Sequence, residues 1–132
     1  MLGTFQQSHL RIEVNASESA IRDSLLSSEQ LRQWLWPQRL SAGLPERLET
    51  GLNFTSWVGP IAIAHQVDFA EANSLRLILS QGIDGFHEWM WGEGWVQSRF
   101  EGITALPLNL GQTLSLLRLK QHLATSKSKI AL

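Results

Sequence analysis

The chain of 132 residues carries 11 basic and 12 acidic side chains, for a formal net charge of −1, with six tryptophans and no cysteine. A single domain of this length buries enough surface to fold without staples, and its charge balance offers no general attraction to nucleic acid or anionic membranes. The missing cysteine excludes disulfides, thiolate nucleophiles, iron–sulfur clusters and cysteine zinc sites, and it fits a reducing compartment.

The opening "MLGTFQQSHLRIEV" lacks a basic start followed by an apolar run, so no signal peptide is expected. The uncharged stretches 52–67 and 102–117 are too short and too polar to span a bilayer. The expectation is one soluble, cytoplasmic domain over residues 1–132, with its core over about 8–125. No acid follows Glu101, whereas Arg118, Lys120, Lys127 and Lys129 do; this reads as a solvated helix end whose cations suit the C-terminal dipole.

Leu10, Ile12 and Val14 alternate with Arg11, Glu13 and Asn15, the period of a half-buried strand. Ser17 or Asn15 can cap the helix that follows, with Glu18 in its first turn and Ile21 and Leu25 on its buried stripe. A second short helix follows, with Ser27 and Gln30 at capping-box spacing, Leu31, Trp34 and Leu35 on its apolar face, and Pro37 as its stop. "ERLETGLNFTSWVG" then contains two short extended stretches meeting near Thr50–Gly51, and Gly59–Pro60 marks a turn. In "IAIAHQVDF", Ile61, Ile63, His65, Val67 and Phe69 share one face and Ala62, Ala64, Gln66 and Asp68 the other. "LRLILS" puts Leu75, Leu77 and Leu79 on one side, and Asp84–Gly85 turns into "FHEWMWGEGW".

The final third predicts a long helix entered at Pro107, with Asn109 and Gln112 at capping-box spacing and a frayed end over "SKSKIAL". Its leucines form two stripes, Leu110, Leu114 and Leu117 against Leu116, Leu119 and Leu123. One stripe must pack on the sheet; the other completes a cavity edge, meets another subunit or is covered by the early helices. The order is therefore strand, two short helices, about six antiparallel strands and one long helix.

This order, from "HLRIEVNAS" to "LRLKQHLA", resembles the SRPBCC superfamily of START lipid-transfer domains, birch-pollen-type allergens and polyketide cyclases. "LRQWLWP" resembles the Trp-and-Pro end of the second helix in many members. "DGFHEWMWGEGWVQSRFEG" with "LPLNLGQTL" is similar to a compact, mainly cyanobacterial subfamily. The resemblance implies an α+β helix-grip fold: a curved antiparallel sheet of about seven strands wrapped around the C-terminal helix, with a cavity between them. It implies no particular reaction, because the superfamily lacks a shared catalytic signature.

Two registers suit the hairpin at Gly92–Gly94. A two-residue turn at Glu93–Gly94 sets Glu88 opposite Arg99 and Met90 opposite Gln97, and it gathers His87, Trp89, Trp91, Val96, Ser98 and Phe100 on one face. A three-residue turn mixes both faces. The first is favoured, because it sorts the large apolar groups and opposes charges across the strands. Trp95 then lies on the outer face near the tip, as a candidate gate or contact residue.

Sharper motifs fail. "HEWMW" has Trp91 where a zinc protease needs a second histidine, and it reads as a strand. "GEGWVQ" has Gln97 in place of a third glycine and leads into a strand, so it offers no helix N-terminus to a phosphate. Glu88, Glu93 and Glu101 crowd the only nearby base, Arg99, which opposes a nucleic-acid surface, and no Gly-x-Ser-x-Gly elbow occurs. His65 and His87 lie on apolar faces: each is a buried neutral imidazole, or a polar anchor or acid/base in a greasy cavity. His9 faces solvent and His122 lies on the long helix, so no metal set is apparent.

The expected function is binding or carrying a hydrophobic small molecule, lipid, isoprenoid or polyketide-like, through His65, His87, Trp89, Trp91, Ser98 and Phe100. Trp34 and Trp57 are expected to join the tryptophans in the core. The alternative is a polyketide cyclase or dehydratase with His65 or His87 as acid/base, assisted by Ser98. A further alternative is a protein-interaction module, or a homodimer, through Leu116, Leu119 and Leu123. No cofactor, metal, nucleic-acid partner or membrane insertion is expected.

Overall fold

The computed structural model describes residues 3–35 and 38–130. Strand β1 (Thr4–Glu13) leads into helices α1 (Glu18–Leu26) and α2 (Ser28–Trp34). Six strands follow: β2 (Arg39–Leu40), β3 (Asn53–Val58), β4 (Ile61–Ala70), β5 (Ser74–Gln81), β6 (Asp84–Gly92) and β7 (Trp95–Thr104). Helix α3 (Leu108–Ile130) ends the chain's regular structure, continuing into the segment expected to fray. The strands form one curved antiparallel sheet in the order β1-β7-β6-β5-β4-β3-β2. The first two strands thus hold opposite edges, and α1 and α2 carry the chain from one to the other across the concave face.

Local chemistry sets the helix starts. The Ser17 side chain accepts from the Ala20 N–H, and Ser27 accepts from that of Gln30. Gln30 does not complete the capping box; its Oε1 instead accepts from Ser24 and meets His122 Nε2. At α3 the expected pair is likewise redirected. The Leu108 N–H donates to Gln6 Oε1 on β1, while Asn109 and Gln112 send their side chains into the strands. Pro37, the expected stop of α2, and Trp36 lie outside the described residues.

Period-2 alternation builds the concave face from Ile63, His65 and Val67 on β4 and Leu75, Leu77 and Leu79 on β5, all buried. A β-bulge between Val67 and Phe69 interrupts it. Phe69 therefore opposes the outward-facing Arg76, and Ala70 opposes the inward-facing Leu75. The bulge's extra residue flips every later side chain, which moves Phe69 off the face expected for it. Trp57 is also corrected: it alternates with the buried Phe54 and Ser56 and lies half-buried on the outer side, opposite Ala62. Of the two stretches expected in residues 46–59, only the second is a ladder strand. Arg47 makes a single bridge to Ser27.

The β6–β7 hairpin adopts the two-residue turn, with Glu88 opposite Arg99, Met90 opposite Gln97 and Gly92 opposite Trp95. Gly94 takes φ +76°, which a side chain would resist. The opposed charges pair elsewhere, Arg99 with Glu101 at 3.0 Å and Glu88 with Arg76 at 3.5 Å. Trp95 is not a free gate: it is half-buried, packed over Gly92 and under the Arg11 guanidinium, 4.2 Å from the ring centre.

On α3 the buried stripe is Leu116, Leu119 and Leu123, facing β1, β7 and the two short helices, whereas Leu110, Leu114 and Leu117 are exposed. The stripe expected to offer a partner surface is therefore core. Its burial supplies roughly 1.5–3 kcal/mol per leucine. Because α3 leans toward the β1–β7 edge, the concave face over β3–β6 is left with space. No helix among the described residues is long and apolar enough to cross a membrane.

Candidate functional site

That space is a cavity of about 270 Å³ between the sheet, α2 and the first turns of α3. Its walls are leucine and isoleucine from β4, β5 and α2, with Trp34 and Trp89 meeting edge to face at 6.1 Å. Leu110 and Leu114 both line it and face solvent, so they mark its mouth. Among the described residues no charged side chain lines the wall, and no group of three His, Asp or Glu could hold a metal ion. The polar groups on the wall are few: His65, His87, Gln38 and Ser115.

The two histidines sit in matching surroundings. His65 on β4 opposes Phe54 on β3 and stacks on it, centroids 4.6 Å apart and planes within 1°. Two residues along, Ser56 places its hydroxyl 2.8 Å from His65 Nε2, and Gln38 Nε2 donates to that same hydroxyl oxygen. His87 on β6 opposes Phe100 on β7 and stacks on it at 4.2 Å, with Trp89 at 4.6 Å. Here Ser98 lies 2.7 Å from His87 Nε2, and Gln112 Nε2 donates to Ser98 Oγ at 2.9 Å. Each imidazole is thus the end of a Gln–Ser–His string and lies on a phenylalanine.

Gln112 is fully buried. Its amide nitrogen also donates to the Ser8 and Ser98 carbonyls at 2.9 Å, and its oxygen accepts from the Ser8 hydroxyl. Asn109 in turn donates to Ser8. The result ties β1, β7 and α3 together beneath the cavity.

Burial pushes the His65 pKa down to about 4. Burial, and then repulsion from a charged His65, pushes His87 down to about 3. Both rings are neutral at pH 7. His87 lies deep in the protein and yet keeps some accessible surface, because it faces the cavity. Among the described residues the buried His65 Nδ1 has no hydrogen-bond partner.

Of the residues expected at the site, His65, His87, Trp89 and Phe100 line the cavity. Ser98 stands behind His87, and Trp91, although buried, lies outside the wall, its Nε1 without a partner among the described residues. Phe54, Ser56, Gln38 and Gln112 were not anticipated. The first two carry a legible signal, Phe-x-Ser on β3 mirroring Ser-x-Phe on β7. The glutamines carry none, because they arrive from outside the sheet.

No family model matches the sequence, and no curated protein matches it. Solved structures do. DynU16, from the dynemicin biosynthetic locus, superposes with a TM-score of 0.70 at 19% identity, over 91% of this chain and 48% of its own. This chain therefore spans about half the length of DynU16. Protein CV1439 of Chromobacterium violaceum gives 0.70 at 16% identity, covering 89% of this chain and 96% of that one. These likenesses show a shared fold, the helix-grip arrangement of curved sheet and long C-terminal helix. The Aha1 protein of Colwellia psychrerythraea, solved as a dimer, shares it with a TM-score of 0.64 at 18% identity, over 89% and 96% of the two chains.

Proposed function

We propose that this protein binds a compact, largely apolar small molecule in the cavity between sheet and α3, with His65 and His87 as its polar anchors. The observation that carries the reading is an apolar chamber with two imidazoles and no charged side chain on its described wall. Small-molecule sites are apolar walls with a few placed polar groups. At about 270 Å³ the chamber lies just below the roughly 300–1,000 Å³ of drug-sized sites, which favours a one- or two-ring molecule over a long-chain lipid.

The acid–base alternative is weaker. A general base works best with a pKa near the operating pH, and these histidines are held near 4 and 3 with no carboxylate on the described wall to raise them. They suit hydrogen bonding rather than proton transfer.

The test is native mass spectrometry of gently purified protein beside a denaturing spectrum, together with tryptophan fluorescence on adding neutral bicyclic probes. The expected result is an added mass lost on denaturation, or a saturable response from Trp34 and Trp89 at the cavity wall. A bare mass with no fluorescence response to tetralin or 1-tetralone would overturn the reading.

A further inference from the structure

The hydrogen-bond direction at His87 can be read from its supports. Gln112 cannot be turned around: a flipped amide would aim its oxygen at the Ser8 and Ser98 carbonyls, so its N–H groups must face them. Ser98 Oγ can therefore only share one of the two amide hydrogens with a carbonyl, and because the amide nitrogen accepts nothing, the hydroxyl's own proton needs another acceptor. Among the described residues the one within reach is His87 Nε2, at 2.7 Å. Ser98 itself is fully buried, so leaving that proton unpaired would cost a lost hydrogen bond. An imidazole that accepts at Nε2 carries its proton on Nδ1 when neutral. Among the described residues nothing pairs with His87 Nδ1, and the ring borders the cavity.

We infer that His87 is a fixed hydrogen-bond donor through Nδ1–H and that the cavity selects a neutral carbonyl oxygen, of a ketone, ester or quinone, on a compact apolar ligand. This rests on the proposed binding function and deepens it. A carbonyl accepts without bringing a proton of its own to be placed. A carboxylate would enter an apolar chamber with no described cation on its wall and a neutral ring as its partner, a costly burial. Fatty acids are therefore selected against.

His65 differs in one respect. Among the described residues the Gln38 amide makes its only hydrogen bond to Ser56, so nothing fixes which end it presents. With the amide nitrogen inward, Ser56 donates to His65 and Nδ1 carries the proton. With the oxygen inward, Ser56 donates to Gln38, His65 donates to Ser56, and Nδ1 becomes an acceptor. One imidazole is thus committed, while the tautomer of the other is left open by its supports.

Two measurements test this. Long-range ¹H–¹⁵N correlation on ligand-free, ¹⁵N-labelled protein at pH 7 should find His87 protonated at Nδ1, and Ser98→Ala should release it to a mixture. Protonation at Nε2 in the parent protein overturns the donor assignment whether or not any ligand is found. Binding of tetralin, 1-tetralone and 1,2,3,4-tetrahydro-1-naphthoate is then compared by tryptophan fluorescence. The ketone should bind about tenfold more tightly than the hydrocarbon, the carboxylate most weakly, and His87→Phe should level ketone and hydrocarbon. Equal binding of tetralin and tetralone, or a preference for the carboxylate, sinks the carbonyl selection and leaves the cavity reading standing. If none of the three binds, the cavity reading fails and the carbonyl selection with it.

Discussion

His65 and His87 stand two strands apart on the same concave face, and each is stacked on a cross-strand phenylalanine and bonded through Nε2 to a serine. What separates them is the third member of the string. Gln112 comes from α3, is fully buried and is gripped by two carbonyls and a hydroxyl. Gln38 comes from the connection before β2, and among the described residues its side chain hydrogen-bonds to Ser56 alone. Identical chemistry at the imidazole therefore has a fixed polarity at one station and a reversible one at the other. The lesson is that a buried group's role is decided by what holds its partner's partner.

The largest expected effect puts the two stations on a common scale. Both pKa values lie below the ordinary 6.5, so the native chain refuses protons that the unfolded chain takes up. Stability is full above pH 6.5 and falls as pH drops toward the native values, by about 4 kcal/mol for the pair between pH 7 and 5. Urea unfolding across that range should show the fall, and His65→Phe or His87→Phe should each remove about half of it. The stations part below pH 5: the His65 contribution levels off near pH 4, and that of His87 continues to about 3.

Gln112→Leu comes next. It strands two carbonyls and the Ser8 hydroxyl, each costing about 1 kcal/mol or more, so a loss of about 3 kcal/mol is expected from the urea midpoint. Ser98→Ala should cost about 2 kcal/mol, because it deprives both Gln112 and His87, against about 1 kcal/mol for Ser56→Ala. Gln38→Leu should cost less than about 1 kcal/mol. Equal losses for the two glutamine variants would break the contrast between a fixed station and an adaptable one.

Much of this was legible in the sequence, and the misses are instructive. Alternation placed His65, Leu75, Leu77 and Leu79 on the concave face, and the sorting of large apolar groups, with opposite charges set across the strands, chose the hairpin register that brings His87, Ser98 and Phe100 together. Phe69 escaped because a bulge inserts one residue without a compositional mark. Gln112 sat at capping-box spacing from Asn109, and local spacing cannot see that Ser8 waits on a strand 104 residues earlier. Nor could a helical wheel decide which leucine stripe faces inward, since Leu114 and Leu116 are equally apolar. The tilt of α3 toward β1 and β7 decided it, and the same tilt opened the cavity.

The pairing of β1 with β7 has a kinetic consequence. It joins the first strand to the last, and non-local closure of this kind is slow relative to hairpin formation. The β3–β7 meander can assemble from neighbours in sequence, but Gln112 gains its full set of partners only when Ser8 arrives with β1. A chain caught before that capture would have its hairpins and a hollow, yet its imidazole would be free to choose either nitrogen. The ring's protonation pattern is thus a clock for the closing step of folding, and on a ribosome it could be set only after α3 had emerged.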